Sequence, residues 1–174
     1  MARLPIVIVP NQVLKAKAKP VEKVDDEIRR VLDDMLETMY DAPGIGLSGN
    51  QIGLLRRLVV LDVARSDEKP NPIKMVNPEI LWRSEELSTY NEGCLSLPEQ
   101  YADVVRPAQI KFRYLDDKGH RQEMQADGLL ATCVQHEIDH LDGVLFVDHL
   151  SALKRNIILR KLAKVQKTKT ESAM

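Results

Sequence analysis

An α+β fold is the architecture that the sequence predicts, and three observations support it. Some segments show the apolar periodicity of helices, while those between them favour strands joined by short turns. Helices and strands do not alternate regularly, so antiparallel sheets are expected rather than a parallel one. The 174 residues, 44% of them hydrophobic, are enough for one domain with a substantial core.

The first predicted element is an amphipathic N-terminal helix over residues 25–41. Its apolar side chains recur every three or four residues, which places them on one helix face. Acidic residues at its start suit the positive end of the helix dipole. The apolar positions are Ile28, Val31, Leu32, Met35, Leu36 and Met39, and the acidic ones are Asp25, Asp26 and Glu27.

Strands and their turns follow in the middle of the chain. Apolar and β-branched residues predict strands over 57–63, 73–81, 109–115 and 120–126. A charged, proline-containing connection joins the first two strands. Asp116–Gly119 has the composition of a tight turn, so the last two strands are expected to form a hairpin.

Two further helices are predicted, over 129–141 and over 151–165. Gly143 is expected to stop the first of them, because glycine readily takes the left-handed conformation that ends many helices. We expect residues 1–150 to form the functional domain, with the basic helix and polar tail of 151–174 packed on it. The apolar stripe of the last helix is Leu153, Ile157, Ile158, Leu162 and Val165.

Composition narrows the classes of function. The formal net charge is −1, which argues against generalised nucleic-acid or membrane binding, and we predict no sequence-specific nucleic-acid partner. Positive charge is concentrated in residues 151–174, which hold seven Lys or Arg against one Glu. Two cysteines, no recognisable export signal and no apolar run of membrane-spanning length predict a cytoplasmic location.

The predicted helix over 129–141 contains the pattern His-Glu-x-x-His. His136 and His140 project from one face of a helix and can bind the same metal ion. Glu137 lies about 100° around the helix from His136, where it can act on a metal-activated water without binding the metal. A plain surface helix is the alternative, but the low-polarity run over 129–134 predicts burial.

A catalytic site of this kind needs a third protein ligand. The extended pattern His-Glu-x-x-His-x-x-Gly-x-x-His fails because its last position is Phe146, and the sole later glutamate, Glu171, lies in the polar tail. A thiolate with two imidazoles is an accepted set for zinc and iron(II). The remaining candidates are Cys94, Cys133, Asp148 and His149, although Cys133 equally suits a packed helix interface.

The segment Gly44–Gly53 holds four glycines in ten residues, so its backbone turns tightly or lies against a ligand. Its Gly-x-Gly-x-x-Gly spacing occurs in dinucleotide-binding loops. A helix precedes it here and a strand follows, which is the reverse of the order in such loops. We therefore predict no nucleotide cofactor.

Together these segments resemble the polypeptide deformylase family, whose boxes are Gly-x-Gly-Leu-Ala-Ala-x-Gln, Glu-Gly-Cys-Leu-Ser and Gln-His-Glu-x-Asp-His-Leu, in that order. The second box is complete at Glu92–Ser96 and the third at Gln135–Leu141. The first is represented by Gly44, Gly46, Leu47 and Gln51. Ser48 and Gly49 stand where the family usually has Ala-Ala. We expect tolerance there, although an added hydroxyl and a freer backbone can loosen the loop.

The resemblance implies antiparallel β-sheets wrapped around a central metal-binding helix, with N-terminal and C-terminal helices. It also implies removal of the N-formyl group from N-formylmethionine of nascent polypeptides, with release of formate. The implied metal ligands are Cys94, His136 and His140. Glu137 is implied as general base and then acid, and the Gln51 side chain and the Leu95 N–H as donors to the developing oxyanion.

The substrate pocket and the metal also follow from the resemblance. The methionine pocket maps to Ile45, Gly46, Leu129 and Thr132, where plain core packing is the alternative. Iron(II) is the implied native metal, and zinc, nickel and cobalt also suit the ligands. Glu92 and Arg106 are an implied structural pair that orients the cysteine strand.

N-formylmethionyl peptides are the implied partners, and the basic C-terminal helix is implied to dock on the ribosome through phosphate contacts. That helix can instead pack on the core with its lysines in solvent. Three other functions were considered. A zinc peptidase lacks its downstream ligand, and a structural zinc module lacks a fourth ligand. A degenerate, non-catalytic deformylase-like protein that binds formyl peptides or ribosomes is suggested by Ser48 and Gly49 alone.

Overall fold

The structure is a computed structural model that describes residues 2–173, with side chains described as far as Lys167. The helices are α1 (Asp26–Asp41), α2 (Gly128–Leu141) and α3 (Ala152–Ala173). The strands are β1 (Gly46–Ser48), β2 (Leu58–Leu61), β3 (Ile73–Arg83), β4 (Leu87–Cys94), β5 (Leu97–Pro107), β6 (Gln109–Leu115) and β7 (Arg121–Asp127). Short 3-10 turns lie at Gln12–Lys15, Gly49–Ile52 and Phe146–His149.

The strands form two antiparallel units. One sheet has the order β1-β2-β3-β6-β7, and β4 pairs with β5 as a separate hairpin. The predicted hairpin of β6 and β7 is present, in continuous register from Gln109 opposite Asp127 to Leu115 opposite Arg121. The predicted α+β class is therefore confirmed.

Helix α2 lies at the centre of the molecule, in contact with strands of both units. Its apolar residues Val134, Ile138 and Leu141 are buried in one cluster with Phe112 and Met75 of the large sheet. Gly143 has a positive φ of 78° directly after the helix end, as expected of its stop signal. The polar residues of α2 are thereby directed towards the β4–β5 hairpin.

Helix α1 covers the outer part of the large sheet. Leu32, Met35 and Met39 are fully buried against β1 and β2, which accounts for the predicted periodicity. The Asp25 side chain accepts a hydrogen bond from the Ile28 N–H at 3.0 Å and caps the helix. This packing holds the glycine-rich segment that follows α1 against α2.

Helix α3 differs from its prediction in length and in packing. It continues to Ala173, because its Lys, Arg and Gln residues are good helix formers. Ile158 and Leu162 pack with residues of β5 and of the preceding 3-10 turn. The rest of the predicted stripe, Leu153, Ile157 and Val165, is exposed, so the helix packs through only part of the stripe. Among the described residues, no helix has the length and apolar character needed to cross a bilayer.

The β4–β5 hairpin was not anticipated from the sequence. Exposed residues alternate with partly buried or buried ones along both strands, but several inward-facing positions are polar, such as Glu92 and Arg106, so the strands lack the alternation of apolar and polar residues that predicts a half-buried strand. Pro98 lies within β5 although it has no backbone N–H to donate to a neighbouring strand. The register shifts between the pairs Gly93–Tyr101 and Cys94–Leu97, and this irregularity accommodates a residue without an N–H.

Candidate metal centre

Three side chains from two elements meet between α2 and the β4–β5 hairpin. One turn of α2 separates His136 from His140, and Cys94 ends β4 opposite them. One ligand atom from each of the three lies within 4.8 Å of the others. The Cys94 Sγ is 3.2 Å from the His140 Nε2. Residues 42 or more positions apart in sequence are thus brought together by the packing of α2 against the hairpin.

The chemistry of this cluster fits a divalent transition metal. A thiolate and two imidazoles suit zinc, iron(II), cobalt and nickel. The His136 Nδ1–H donates to the Glu92 Oε1 at 2.9 Å, which leaves the other ring nitrogen for a metal. His140 is fully buried, and its Nδ1 has no hydrogen-bond partner among the described residues.

The Glu137 carboxyl is buried beside the cluster, in contact with the backbone of β1. A Cβ on Gly46 would lie 2.9 Å from the Glu137 Cδ and Oε2, so this close approach requires glycine. Burial raises the pKa of Glu137 to about 7. A carboxyl with such a pKa can both accept and release a proton near neutral pH.

The Gln51 amide approaches the cluster from the other side. Its Nε2 donates to the Ser96 Oγ at 3.2 Å and to the Cys94 Sγ at 3.4 Å. The Ser48 N–H donates to the Gln51 Oε1 at 3.0 Å. Leu95, directly after Cys94, lines the same cleft. Gln51 and Leu95, the two oxyanion donors that the resemblance implied, thus lie beside Cys94.

A cleft of about 580 Å³ opens in front of the cluster, a volume typical of small-ligand sites. The four residues of the expected methionine pocket, Ile45, Gly46, Leu129 and Thr132, all line it. Ile45 and Leu129 remain 44% and 41% exposed, which is unusual for side chains that serve only as core.

Further lining residues were missed from the sequence. Ile6 and Ile8 come from the N-terminal segment, and Tyr90 and Tyr101 from the β4–β5 hairpin. The run of β-branched residues over 6–9 has the composition of a strand, and this was the one signal available for Ile6 and Ile8. The tyrosines lie on strands that the sequence did not predict, so nothing indicated their proximity to the cluster.

A largely buried network of charged side chains contacts the cluster through the hydrogen bond between Glu92 and His136. The Arg106 guanidinium donates to Glu92 from Nε at 2.7 Å and from Nη2 at 3.0 Å, as the resemblance implied. Arg106 Nη1 and the His149 Nε2 also contact the Asp139 Oδ2, each at 2.8 Å. Burial alone would raise the pKa of Glu92, but the hydrogen bonds from His136 and Arg106 outweigh it and the pKa is lowered.

The alternative third ligands have other contacts in the structure. Burial strongly raises the pKa of the Cys133 thiol, whose Sγ lies 3.7 Å from the Ile45 carbonyl oxygen. Asp148 accepts from the Leu145 N–H at 2.8 Å, and His149 contacts Asp139. A neutral thiol packed in a helix interface is a poor metal ligand, so these contacts favour Cys94.

Comparisons with known proteins identify the relatives of this chain. A family model described as polypeptide deformylase matches residues 3–156. A peptide deformylase of Methylocella silvestris is 59% identical over 166 residues, which cover 94% of this chain and 85% of the relative. One of Agrobacterium fabrum is 54% identical over 165 residues, 95% of this chain and 97% of that one. The crystal structure of peptide deformylase from Ehrlichia chaffeensis has a TM-score of 0.92 and 39% identity, covering 97% and 99%.

Proposed function

Because this chain belongs to the polypeptide deformylase family and is a metal-dependent hydrolase, we propose how its own residues perform the reaction. The enzyme removes the N-formyl group from N-formylmethionine of nascent polypeptides and releases formate. The grouping of Cys94, His136 and His140, with the buried Glu137 beside them, is the observation that carries the assignment of roles.

Cys94, His136 and His140 hold the metal in this proposal, and Glu92 fixes the orientation of His136. When bound, a divalent metal supplies Lewis acidity and lowers the pKa of water. Glu137 takes a proton from the attacking water at a carboxylate oxygen. It then delivers that proton to the amine that leaves when the formyl C–N bond breaks.

Charge develops on the formyl oxygen as the water attacks. We assign stabilisation of that charge to the Gln51 Nε2 and to the Leu95 backbone N–H, which flank Cys94. Preorganised donors of this kind are worth ~100- to 1000-fold in rate. The assignment rests on the direction of the Gln51 amide, whose nitrogen faces the cluster and whose oxygen faces Ser48.

The methionine side chain is proposed to lie in the apolar cleft. Ile45, Gly46, Leu129 and Thr132 line this cleft, and Ile45 and Leu129 keep substantial exposed surface. An unbranched thioether is flexible enough to fill an irregular apolar slot. Burial of the exposed parts of Ile45 and Leu129 by substrate would contribute to binding.

Iron(II) is the native metal that we propose, and zinc, nickel or cobalt can replace it, since all suit a Cys/His/His set. We further propose a cytoplasmic location, with residues 1–150 as the deformylase domain and 151–174 packed on the same domain. The burial of Ile158 and Leu162 supports this packing. The exposed basic face of α3 is proposed to contact the ribosome, whose RNA attracts positive charge.

Formate release from formyl-Met-Ala-Ser tests the proposal. Protein loaded with iron(II) without oxygen should release formate, and a chelator should stop the reaction until metal is returned. A metal-loaded, folded protein without turnover would contradict the proposed roles. The comparisons give no support to a zinc peptidase or to a non-catalytic binding protein.

A further inference from the structure

We propose that Ser48 is a positioning residue for this reaction: its hydroxyl fixes the Gln51 amide so that the amide nitrogen faces the developing oxyanion. The inference rests on the proposed role of Gln51 as an oxyanion donor. Ser48 itself does not touch the cluster and acts only through Gln51. It also stands at one of the two positions where the sequence departs from the usual family box.

Two donors of Ser48 converge on a single atom. The Ser48 N–H lies 3.0 Å from the Gln51 Oε1, and the Ser48 Oγ lies 3.3 Å from the same oxygen. A side-chain carbonyl oxygen has two lone pairs, so it can accept both hydrogen bonds. Ser48 is fully buried and Gln51 is 1% exposed, so water does not compete for these contacts.

The contacts at the other end of the amide set its direction. Gln51 Nε2 lies 3.2 Å from the Ser96 Oγ and 3.4 Å from the Cys94 Sγ. A rotation of the amide by 180° would place its NH₂ group against the Ser48 N–H, with donor facing donor. The backbone N–H therefore selects the orientation. The hydroxyl adds a second donor, which narrows the motion of the amide and polarises its N–H groups.

The backbone around Ser48 is closely packed. A Cβ on Gly49 would lie 2.5 Å from the Arg56 carbonyl oxygen and 2.7 Å from that of Leu54. The 54–56 segment thus occupies the space of a Gly49 side chain and closes over the turn. The loosening that the sequence analysis considered for these two positions is not what the structure shows. Serine and glycine here fit a tight turn with an anchored glutamine.

A purely structural role for Ser48 makes a different prediction. Ser48 precedes the 3-10 turn Gly49–Ile52. The hydrogen bond from the Ser48 N–H to the Gln51 side-chain oxygen is one half of a capping box at the start of that turn. If the hydroxyl only supported that turn, its loss would lower stability without a specific effect on kcat. Positioning instead predicts a lower kcat at unchanged KM, because the affected hydrogen bond forms with the transition state.

Kinetics of a double-mutant cycle separate the two roles. Ser48→Ala should lower kcat about 3- to 10-fold with KM unchanged, since one indirect hydrogen bond is removed. Ser48→Thr, which keeps the hydroxyl, should restore most of the loss. The effect of Ser48→Ala should disappear in the Gln51→Ala background. Thr38→Val is the control, because it removes a buried hydroxyl on α1, away from the site, and should leave kcat unchanged.

A second measurement does not depend on activity. In the diamagnetic zinc-loaded protein, Ser48→Ala should shift the side-chain amide ¹⁵N and ¹H resonances of Gln51, while Thr38→Val should not. The measurement of these resonances requires only folded protein. If Ser48→Ala does not fold, the conservative variant Ser48→Cys replaces it in the same measurement. Unchanged Gln51 resonances, or an equal loss of kcat with and without Gln51, would overturn the inference.

The cycle also distinguishes failure of the inference from failure of the proposed function. If Gln51→Ala leaves kcat of the active enzyme unchanged, the oxyanion role of Gln51 is wrong and the role of Ser48 falls with it. If Gln51→Ala lowers kcat but Ser48→Ala does not, the oxyanion role stands and Ser48 is only a capping residue.

Discussion

The backbone of Gly46, in β1, lies directly against the Glu137 side chain, and the space between them is too small for a side chain at position 46. A Cβ on Gly46 would lie 2.9 Å from the Glu137 Oε2. Contacts that short are relieved only if something moves. The Glu137 side chain is buried and 2% exposed, so a movement would take its carboxyl away from the cluster.

Gly46→Ala is therefore expected to lower kcat, by about 10-fold or more, with metal content unchanged, since a shift near 1 Å can cost ~100-fold. Formate release and metal analysis on the same preparation measure both quantities. Gly119→Ala is the control, because it strains a turn with a φ of 80° in the β6–β7 hairpin. That control should lose stability and keep its kcat. A fully active Gly46→Ala enzyme would contradict the close-approach argument.

Glu137→Gln should abolish most turnover and leave the metal bound. The glutamine keeps the size of the side chain but cannot accept a proton, and general acid–base catalysis contributes typically ~100- to 10,000-fold. Metal analysis and formate release are again the measurements. Loss of metal in this variant would show that Glu137 is a ligand and would overturn its assignment as the base.

Metal content of two alanine variants tests the identity of the third ligand. Cys94→Ala should lose metal, because Cys94 lies with both histidines in the cluster. Cys133→Ala should keep it, since that buried thiol contacts the Ile45 carbonyl oxygen and its pKa is strongly raised by burial. Equal retention of metal in both variants would exclude Cys94 and reopen the search for a third ligand.

The sequence predicted the metal-binding helix of the site better than it predicted the strands that pack against that helix. The i, i+4 spacing of His136 and His140 is local, so it follows from helix geometry alone. The proximity of Cys94 depends on the β4–β5 hairpin, whose strands carry polar residues at inward-facing positions and therefore little apolar pattern. The resemblance, not the pattern, connected Cys94 with the histidines.

The extension of the charge network could not be predicted for the same reason. Glu92 and Arg106 were expected as a pair, but the contacts of Asp139 with Arg106 and His149 arise from the packing of α2 against β5 and the 3-10 turn after it. Likewise, Ser48 was expected only to be tolerated in its loop, and the contact of its hydroxyl with Gln51 becomes evident only from the three-dimensional turn.

Arg106→Met tests how much the buried network contributes to the free energy of unfolding and to metal affinity. The substitution leaves the buried Glu92 and the partly buried Asp139 without this cationic partner, and breaking a buried pair such as Arg106–Glu92 typically costs ~3–5 kcal/mol. Metal affinity should also fall, by about 10- to 100-fold, because Glu92 orients His136. Urea unfolding and a competitive chelator titration measure the two effects.

Arg113→Met is the matched control for that experiment. Arg113 pairs with Glu79 on the surface, where both side chains are more than half exposed. Exposed pairs contribute ~0–1 kcal/mol, so unfolding should change little and metal affinity not at all. Equal destabilisation by the two substitutions would show that the buried network has no special role.

The last prediction concerns α3 and the ribosome. A truncation after Lys154 would remove the buried Ile158 and Leu162, so it would damage packing as well as charge. Arg160→Gln with Lys161→Gln changes charge alone, because both side chains are exposed. If α3 contacts ribosomal RNA, this double variant should co-sediment less with ribosomes at low salt and depend less on salt, while its activity on short formyl peptides stays normal.

The matched control for α3 is Lys118→Gln with Arg121→Gln, which removes the same charge from the exposed β6–β7 hairpin. A general electrostatic attraction would weaken co-sedimentation equally in both double variants, because it depends only on net charge. A specific contact of α3 would weaken it only in the α3 variant. Unchanged co-sedimentation in the α3 variant would mean that its basic residues serve solvation, and that the packing of Ile158 and Leu162 is the structural reason for the helix.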